Sequence, residues 1–336
     1  MRIAVDAMGG DHAPEAIVAG VVDALRELNG IAQITLVGQE EIVAKELSRY
    51  SIKGMPIVIK NATQTIEMHE SPAQAVKTKK DSSIVVATRA LREGEVQAVV
   101  SAGNTGAVMA SSLMELGRLK EVVRPAIATL IPTLEGVSIL LDVGANVDCK
   151  PNHLLQFAMM GDVYARYILK KTNPKIGLLS IGEEEGKGNA LTCEAFNLLK
   201  NTSTRQASLN FIGNVEGRDI INGKVDVIVC DGFVGNVVLK FGESLAEMII
   251  GFLKRELSKN ISLKIGAFLS KPAFRKFKKL LDYSEYGGAP LLGVNGVCII
   301  CHGASSAKAI KNGIRVACEF IDHQVNLHIE ERIKGK

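Results

Sequence analysis

The sequence predicts an α/β protein with a largely parallel sheet covered by helices. Short apolar runs typical of buried strands alternate along the chain with segments whose apolar residues recur at helical spacing. Seven of those runs end in a loop rich in Gly, Asn or Asp. A chain of 336 residues that is 47% hydrophobic, with 32 Gly, can bury the large core that a soluble enzyme needs.

The elements follow from these patterns in chain order. Strands are expected at 2–6, 31–37, 56–60, 97–101, 126–131, 137–142, 175–181, 209–213, 225–230 and 296–301. Helices are expected at 14–29, 40–49, 72–93, 104–118, 152–171, 189–200, 235–257, 273–282 and 304–325. In the first helix an apolar stripe runs from Ile17 to Leu28, Pro14 suits the first turn, and Asp11 is a candidate cap. Pro72 after Ser71 marks another helix start.

We expect residues 1–336 to form a single catalytic unit in which 240–285 is an inserted amphipathic helical segment. This segment holds half of all the Phe, and the stretch from Lys254 to Lys279 carries a net charge of +8. In the helix predicted at 273–282, one arc is apolar and the other is basic, which is typical either of a membrane-interface helix or of an ordinary surface helix. The local charge favours an anionic partner. The residues expected to contact the membrane are Phe274, Phe277, Leu281, Lys276 and Lys279.

Composition excludes several classes of protein. Trp is absent and aromatics are 4%, which argues against base stacking and nucleic acid binding. No apolar stretch approaches the ~20 residues that span a bilayer. The first residues show no signal-peptide pattern, so a cytoplasmic protein with reduced thiols is expected. Cys298, Cys301 and His302 match a haem-attachment spacing, but two cysteines three apart on a strand point to opposite faces, so core thiols are the preferred interpretation.

The loops lack the signatures of nucleotide, zinc and covalent-nucleophile sites. The segment 182–188 resembles a phosphate loop without its spacing, and there is no HExxH or GxSxG motif, so no metal or cofactor is expected. The loops instead supply small residues, backbone amides at helix starts and a few donors. Such residues at 101–106, 231–236, Lys187 and His302 fit a cradle for phosphate and an oxyanion, although a Gly-Asn pair is often only a turn and a lone His often structural.

Seven motifs together resemble the bacterial phosphate acyltransferase (PlsX) family. They are DAMGGD (6–11), SAGNTGA (101–107), LDVGAN (141–146), IGEEEGKGN (181–189), GNVEGRD (213–219), DGFVGNVVLK (231–240) and YGGAPLLGVNG (286–296). The resemblance implies transfer of a fatty acyl group from acyl carrier protein to inorganic phosphate. The acyl phosphate product would serve a glycerol-3-phosphate acyltransferase. It also implies a homodimer, peripheral membrane association and a fold similar to isopropylmalate dehydrogenases and phosphotransacetylases.

This chemistry gives the loop residues expected roles. Lys187, Asn104 and Asn236 are the candidates for catalysis, with His302 as a helper. Phosphate and oxyanion binding is assigned to Gly103, Thr105, Gly106, Gly235 and Gly188. Because extra carboxylates would repel phosphate, Asp6, Asp11, Asp142 and Asp231 are expected to order the loops, together with Asn146.

Three other functions stay open at this stage. They are an NAD-dependent 2-hydroxy-acid dehydrogenase, a short-chain phosphotransacetylase acting on coenzyme A esters, and a non-enzymatic membrane scaffold. The dehydrogenase should show a dinucleotide fingerprint or a carboxylate metal cluster, and neither is evident. Carrier docking could use the segment 240–285 or an alternative group, which comprises Lys77, Lys79, Lys80, Arg89 and Arg92.

Overall fold

Eleven strands form one mixed sheet in the computed structural model, which describes residues 1–203 and 209–335. For Ser203, Lys278, Lys279, Leu281 and Tyr283 it describes the backbone alone. The strands are β1 (Arg2–Asp6), β2 (Gln33–Gly38), β3 (Ile57–Asn61), β4 (Ala98–Ser101), β5 (Ala126–Thr133), β6 (Gly136–Leu141), β7 (Ile176–Leu179), β8 (Phe211–Val215), β9 (Val227–Val229), β10 (Ala289–Leu292) and β11 (Val297–Ile300).

Helices cover both faces of this sheet. They are α1 (Glu15–Glu27), α2 (Glu40–Leu47), α3 (Pro72–Thr78), α4 (Ser83–Arg92), α5 (Thr105–Glu115), α6 (Pro151–Tyr167), α7 (Ala190–Ser203), α8 (Gly232–Leu257), α9 (Ile261–Leu269), α10 (Lys271–Leu281), α11 (Tyr283–Tyr286), α12 (Ala307–Asp322) and α13 (Val325–Ile333). Neighbouring strand residues serve opposite cores: Val100 packs in one apolar cluster and Val99 in the other. The near-continuous apolar strands of the sequence therefore reflect burial on both faces.

The prediction of a largely parallel sheet is confirmed. The strand order is β3-β2-β1-β4-β11-β10-β5-β6-β9-β7-β8, and seven of the ten pairings that the described residues form are parallel. The three antiparallel pairings, β11 with β10, β10 with β5 and β5 with β6, lie consecutively in the middle. They reverse the direction of the sheet, so that β6, β9, β7 and β8 run opposite to β1, β4 and β11.

The helix expected at 72–93 is in fact two helices, α3 and α4. The chain leaves the helix at Lys79 and re-enters it after Ser82, because residues 79–82 bond to a distant loop instead. The Asp81 carboxylate accepts hydrogen bonds from the backbone and hydroxyl of Thr63, and Lys79 Nζ donates to the Thr65 carbonyl. Local periodicity continued through this point and did not reveal the break.

Three further expectations are corrected. Asp11 does not cap α1, which begins without a side-chain cap; its backbone N–H instead donates to the Gly303 carbonyl. The helix expected at 304–325 ends at Asp322, and α13 follows after Gln324, whose φ of 46° lies in the left-handed region. The four-residue strand β10 and the helix α9 were not expected, since both lie in the stretch whose strand–helix rhythm was irregular.

Candidate functional site

The loops that follow β1, β4 and β11 meet at one edge of the sheet. These three strands are parallel neighbours, so their carboxyl ends lie together. The Asp11 N–H donates to the Gly303 carbonyl at 2.8 Å, and Ser101 Oγ donates to Asp6 Oδ2 at 2.7 Å. Gly9 has no room for a side chain, because a Cβ there would lie 2.7 Å from the Gly103 nitrogen. Convergence of these three loops is what their positions at strand ends predict.

Asp6 connects the first two of these loops beneath the surface. It is fully buried, and burial raises the pKa of its carboxyl group, while hydrogen bonds from Ser83, Ser101 and the backbone of Met8 oppose that shift. The Ser101 hydroxyl that donates to Asp6 also accepts the Gly103 N–H at 3.0 Å. The Gly103 amide is thereby occupied within the loop.

Asn104 caps the helix that this loop opens. Its Oδ1 accepts the Ala107 N–H at 3.1 Å, and its Nδ2 donates to the carbonyls of Met68 and Glu70. All of its side-chain polar atoms therefore bind the protein itself. The first-turn amides of Thr105 and Gly106 have no intrahelical acceptor, and Thr105 is exposed, so these groups remain available to an anion.

A second cluster joins the loop after β6 to the start of α8. The buried Asp142 carboxylate accepts four N–H groups, one each from Ile127 and Ala145 and two from Asn146. Burial raises its pKa, and these donors oppose the shift. Asn146 also donates through Nδ2 to the Pro125 carbonyl at 2.7 Å. Asp142 and Asn146 thus bind two chain segments together rather than facing solvent.

The first turn of α8 packs directly on this cluster. A Cβ at Gly235 would lie 1.8 Å from the Asp142 carbonyl oxygen, and the Gly232 N–H donates to the Asn146 carbonyl at 2.8 Å. Asp231 caps the helix, since its Oδ1 accepts the Val234 N–H at 2.9 Å. Asn236 is exposed, and its Cβ lies 3.8 Å from the position that a side chain at Gly144 would take.

Lys187 stands on a third loop, after β7. The loop is braced at its base, where Ser180 Oγ donates to the Lys187 carbonyl at 2.9 Å and Asn214 Nδ2 donates to the Glu184 carbonyl. Gly188 has a φ of 121°, and a Cβ there would lie 2.0 Å from Thr192 Oγ1. The Lys187 side chain is exposed, and no ion pair to its ammonium occurs among residues 1–203 and 209–335.

The reversal of strand direction divides the predicted site residues. Asn104, Thr105 and His302 follow strands that run one way, whereas Lys187 and Asn236 follow strands that run the other. A side-chain contact crosses between the groups: Lys240 Nζ of α8 lies 3.3 Å from His302 Nε2, in the loop after β11. Sequence reasoning did not select Lys240, although it lies one helical turn after Asn236 in the motif at 231–240.

The helices α8, α9 and α10 carry a large exposed apolar surface. The most exposed large apolar residues of these three helices are on α9, where Ile261 is 76%, Leu269 73% and Phe268 72% exposed, and not on the helix selected from the sequence. On α10, Phe277 is 39% exposed, Phe274 is half-buried and Lys276 is exposed. The side chains of Lys279 and Leu281 lie outside the described residues.

The cysteine pair behaves as two separate core thiols. Cys298 packs in one apolar cluster near Ser112, and Cys301 packs in the cluster on the other face of the sheet. Burial raises the pKa of Cys298 to about 11 and that of Cys301 to about 12. The expectation that they point to opposite faces is confirmed. Within the described part of the chain, no group of three His, Cys, Asp or Glu side chains is arranged to hold a metal ion.

Known proteins resemble this chain along nearly its whole length. The model of the family described as "Fatty acid synthesis protein" matches residues 1–328. A phosphate acyltransferase of Geotalea uraniireducens is 56% identical over 334 residues, which cover 99% of this chain and 94% of the relative. A phosphate acyltransferase of Heliobacterium modesticaldum is 55% identical over 339 residues, which cover 100% and 98% of the two chains.

Solved structures share the fold at low identity. A phosphotransacetylase of Streptococcus pyogenes superposes with a TM-score of 0.62 at 15% identity, covering 97% of this chain and 94% of its own. A branched-chain phosphotransacylase of Enterococcus faecalis gives a TM-score of 0.58 at 14% identity, with coverage of 95% and 98%. The expected similarity to the phosphotransacetylase fold is confirmed.

Proposed function

Because this chain belongs to the fatty acid synthesis protein family, whose relatives above are phosphate acyltransferases, we propose that it transfers a fatty acyl group from acyl carrier protein to inorganic phosphate. The observation that carries the acyltransferase assignment is the identity of 55–56% to those relatives over nearly the full chain. The product is an acyl phosphate, available to a glycerol-3-phosphate acyltransferase. The choice of acyl carrier protein as donor is the finer part of the proposal, and it comes from the seven motifs.

The site chemistry suits a reaction in which phosphate itself is the nucleophile. A phosphate oxygen attacks the thioester carbonyl, the new C–O bond forms, and the C–S bond breaks to release the thiolate. A thiol of pKa near ~8.5 leaves without strong acid catalysis. The protein then needs donors that hold phosphate against the carbonyl and stabilise the tetrahedral oxyanion.

The proposed donors belong to a helix start and to exposed side chains. On the first group of loops they are the first-turn amides of Thr105 and Gly106 and the Thr105 hydroxyl. On the second they are the Asn236 amide and the Lys187 ammonium, both on exposed residues. Gly103, Asn104, Gly235, Asp6, Asp142 and Asn146 support these donors from below, since their own polar atoms or packing are already engaged.

A hydroxamate-trapping assay tests the proposed reaction. We expect long-chain acyl-carrier thioester plus inorganic phosphate to give an acyl phosphate, trapped as its hydroxamate, at a rate that saturates with phosphate. The same assay with short-chain coenzyme A esters separates the phosphotransacetylase alternative. Faster turnover of acetyl-coenzyme A than of any acyl-carrier thioester would overturn the donor assignment, and no product from either donor would favour the scaffold.

We infer that the exposed faces of α8, α9 and α10 serve assembly and membrane contact. On α8 the apolar residues recur every three or four positions, and this stripe consists of Val234, Val237, Phe241, Leu245, Met248 and Phe252. Such a stripe fits another helix, which supports a second copy of this chain as its cover. On α9 the apolar residues Phe268 and Leu269, called the apolar tip below, lie in a stretch of chain rich in basic residues. This charge supports contact with an anionic lipid surface. The basic residues are Lys254, Arg255, Lys264, Lys271, Arg275 and Lys276.

In this proposal the protein binds the membrane surface, and none of the described helices crosses the bilayer. No helix within residues 1–203 and 209–335 is long and apolar enough to cross a bilayer. The alternative docking group for the carrier is partly neutralised, because Lys79 pairs with Glu70 and Arg92 with Glu93 and Glu115. Lys77 and Lys80 remain exposed there.

Replacing Phe268 and Leu269 together with Ser should weaken binding to anionic liposomes at least about 100-fold, since each side chain contributes ~1.5–3 kcal/mol when buried in lipid. Turnover of soluble substrate should persist. Vesicle co-sedimentation and the hydroxamate assay measure the two quantities. As a comparison, Phe274→Ser with Phe277→Ser tests α10 directly. If the Phe268 and Leu269 double variant lost turnover but still bound vesicles, the apolar tip would be assigned to carrier docking instead.

A further inference from the structure

Lys240 makes a side-chain contact between the two groups of loops. It lies about two turns into α8, which starts on the Asp142 cluster, and its ammonium reaches His302 at the end of β11. Its side chain is 53% exposed, so the ammonium is accessible to a ligand. Nothing in the sequence motifs separates this residue from an ordinary helix-surface lysine; the contact with His302 does.

A hydrogen bond from Ala304 to His302 indicates that the ring nitrogen facing Lys240 is a donor. The Ala304 N–H donates to Nδ1 at 3.2 Å, so Nδ1 supplies a lone pair and a neutral ring carries its proton on Nε2. The Lys240 ammonium has donors only. Two donors therefore face each other at 3.3 Å, an arrangement that an acceptor oxygen with negative charge stabilises by taking a hydrogen bond from each.

Glu243 holds the ammonium in this position. Its Oε2 accepts from Lys240 Nζ at 2.9 Å, from the next turn of the same helix. One turn in the other direction, Asn236 lies on the same side of α8, since residues four apart are neighbours on a helix surface. Asn236, Lys240 and His302 thus form a row of donors that begins at the Asp142 cluster and ends at the loop after β11.

We propose that Lys240, together with His302 Nε2–H, binds the inorganic phosphate that attacks the thioester; this inference rests on the proposed function. It places the positive charge for the nucleophile on α8. The choice of Lys240 over Lys187 rests on its contact with His302. The glutamates that precede Lys187 are largely paired, Glu183 with Arg218 and Lys224 and Glu185 with Lys200.

The test is Lys240→Gln in the full-length protein, beside Lys240→Arg and the control Lys45→Gln, an exposed lysine on α2. We expect Lys240→Gln to raise the KM for inorganic phosphate about 10- to 100-fold, because a charge-assisted hydrogen bond is lost, with the KM for the acyl thioester unchanged. Lys240→Arg should recover part of the affinity, and Lys45→Gln should match the wild type. Thermal shift with inorganic phosphate alone provides a readout without turnover.

The outcomes separate the site from the reaction. If phosphate raises the melting temperature of the wild type and Lys45→Gln but not of Lys240→Gln, the site stands even where no thioester reacts, and the proposed function alone fails. An unchanged phosphate KM in Lys240→Gln overturns the assignment. A raised KM for the acyl thioester alone also overturns it, since Lys240 would then bind a phosphate group of the donor.

Discussion

Gly235→Ala is expected to destabilise the protein by at least about 3 kcal/mol and to abolish acyl transfer. A Cβ at this position would lie 1.8 Å from the Asp142 carbonyl oxygen and 2.9 Å from Cys230 Sγ, and the first of these neighbours is backbone. The clash can be relieved only by moving the start of α8 away from the loop after β6. Such a shift displaces Asn236 and Lys240 together. Urea unfolding followed by circular dichroism measures the stability, and hydroxamate trapping the activity.

Gly242→Ala is the matched control on the same helix. No heavy atom lies within 4 Å of the Cβ that it would add, so the substitution introduces helix propensity without a clash. It is expected to leave stability unchanged or to raise it by up to ~1 kcal/mol. Equal stability of the Gly235 and Gly242 variants would show that α8 does not sit on Asp142 as described.

Asp142→Ala is expected to cost about 3 to 5 kcal/mol, because it removes the acceptor of four N–H groups in a buried place. The amides of Ile127, Ala145 and Asn146 would lose their partner, and the Asn146 side chain would lose one of its two acceptors. The loop after β6 and the start of β5 would separate. Chemical denaturation and backbone hydrogen exchange at residues 126–146 measure the effect.

Asp148→Ala provides the comparison for this prediction. Asp148 is exposed six residues further along the same loop, and a surface substitution of this kind changes stability by no more than ~0.5 kcal/mol. If Asp142→Ala were as mild as Asp148→Ala, the carboxylate would have no structural role, and a direct part in binding would have to be considered for it.

Local pattern predicted the elements that depend on nearby residues. The apolar stripe from Ile17 onward became α1, Ser71 and Pro72 begin α3, and the loops after β1, β4 and β11 meet as their positions at strand ends suggested. In these cases the deciding interactions lie within a few residues or follow from parallel neighbours.

The features that escaped prediction depend on distant contacts. The reversal of strand direction in the sheet depends on β10, a four-residue strand that contains Pro290. Its antiparallel pairing with both β11 and β5 cannot be predicted from its periodicity. The break between α3 and α4 depends on Thr63, and the approach of Lys240 to His302 depends on the direction of α8 across the sheet. No property of the lysine itself distinguishes it in the sequence from its exposed neighbours.

Because α8 is long, a movement of its far end produces a smaller movement of Lys240 in the row of donors. At 1.5 Å per residue, Lys240 lies only about 8 Å along the helix from Gly235, which packs on Asp142, whereas Leu257 at the far end lies about 33 Å from it. If the helix tilts as a rigid rod about Gly235, the far end moves about four times as far as Lys240. If contact with a surface displaces the C-terminal end of α8 by several ångströms, Lys240 therefore moves by about one ångström relative to His302. A change of that size is enough to make or break a hydrogen bond.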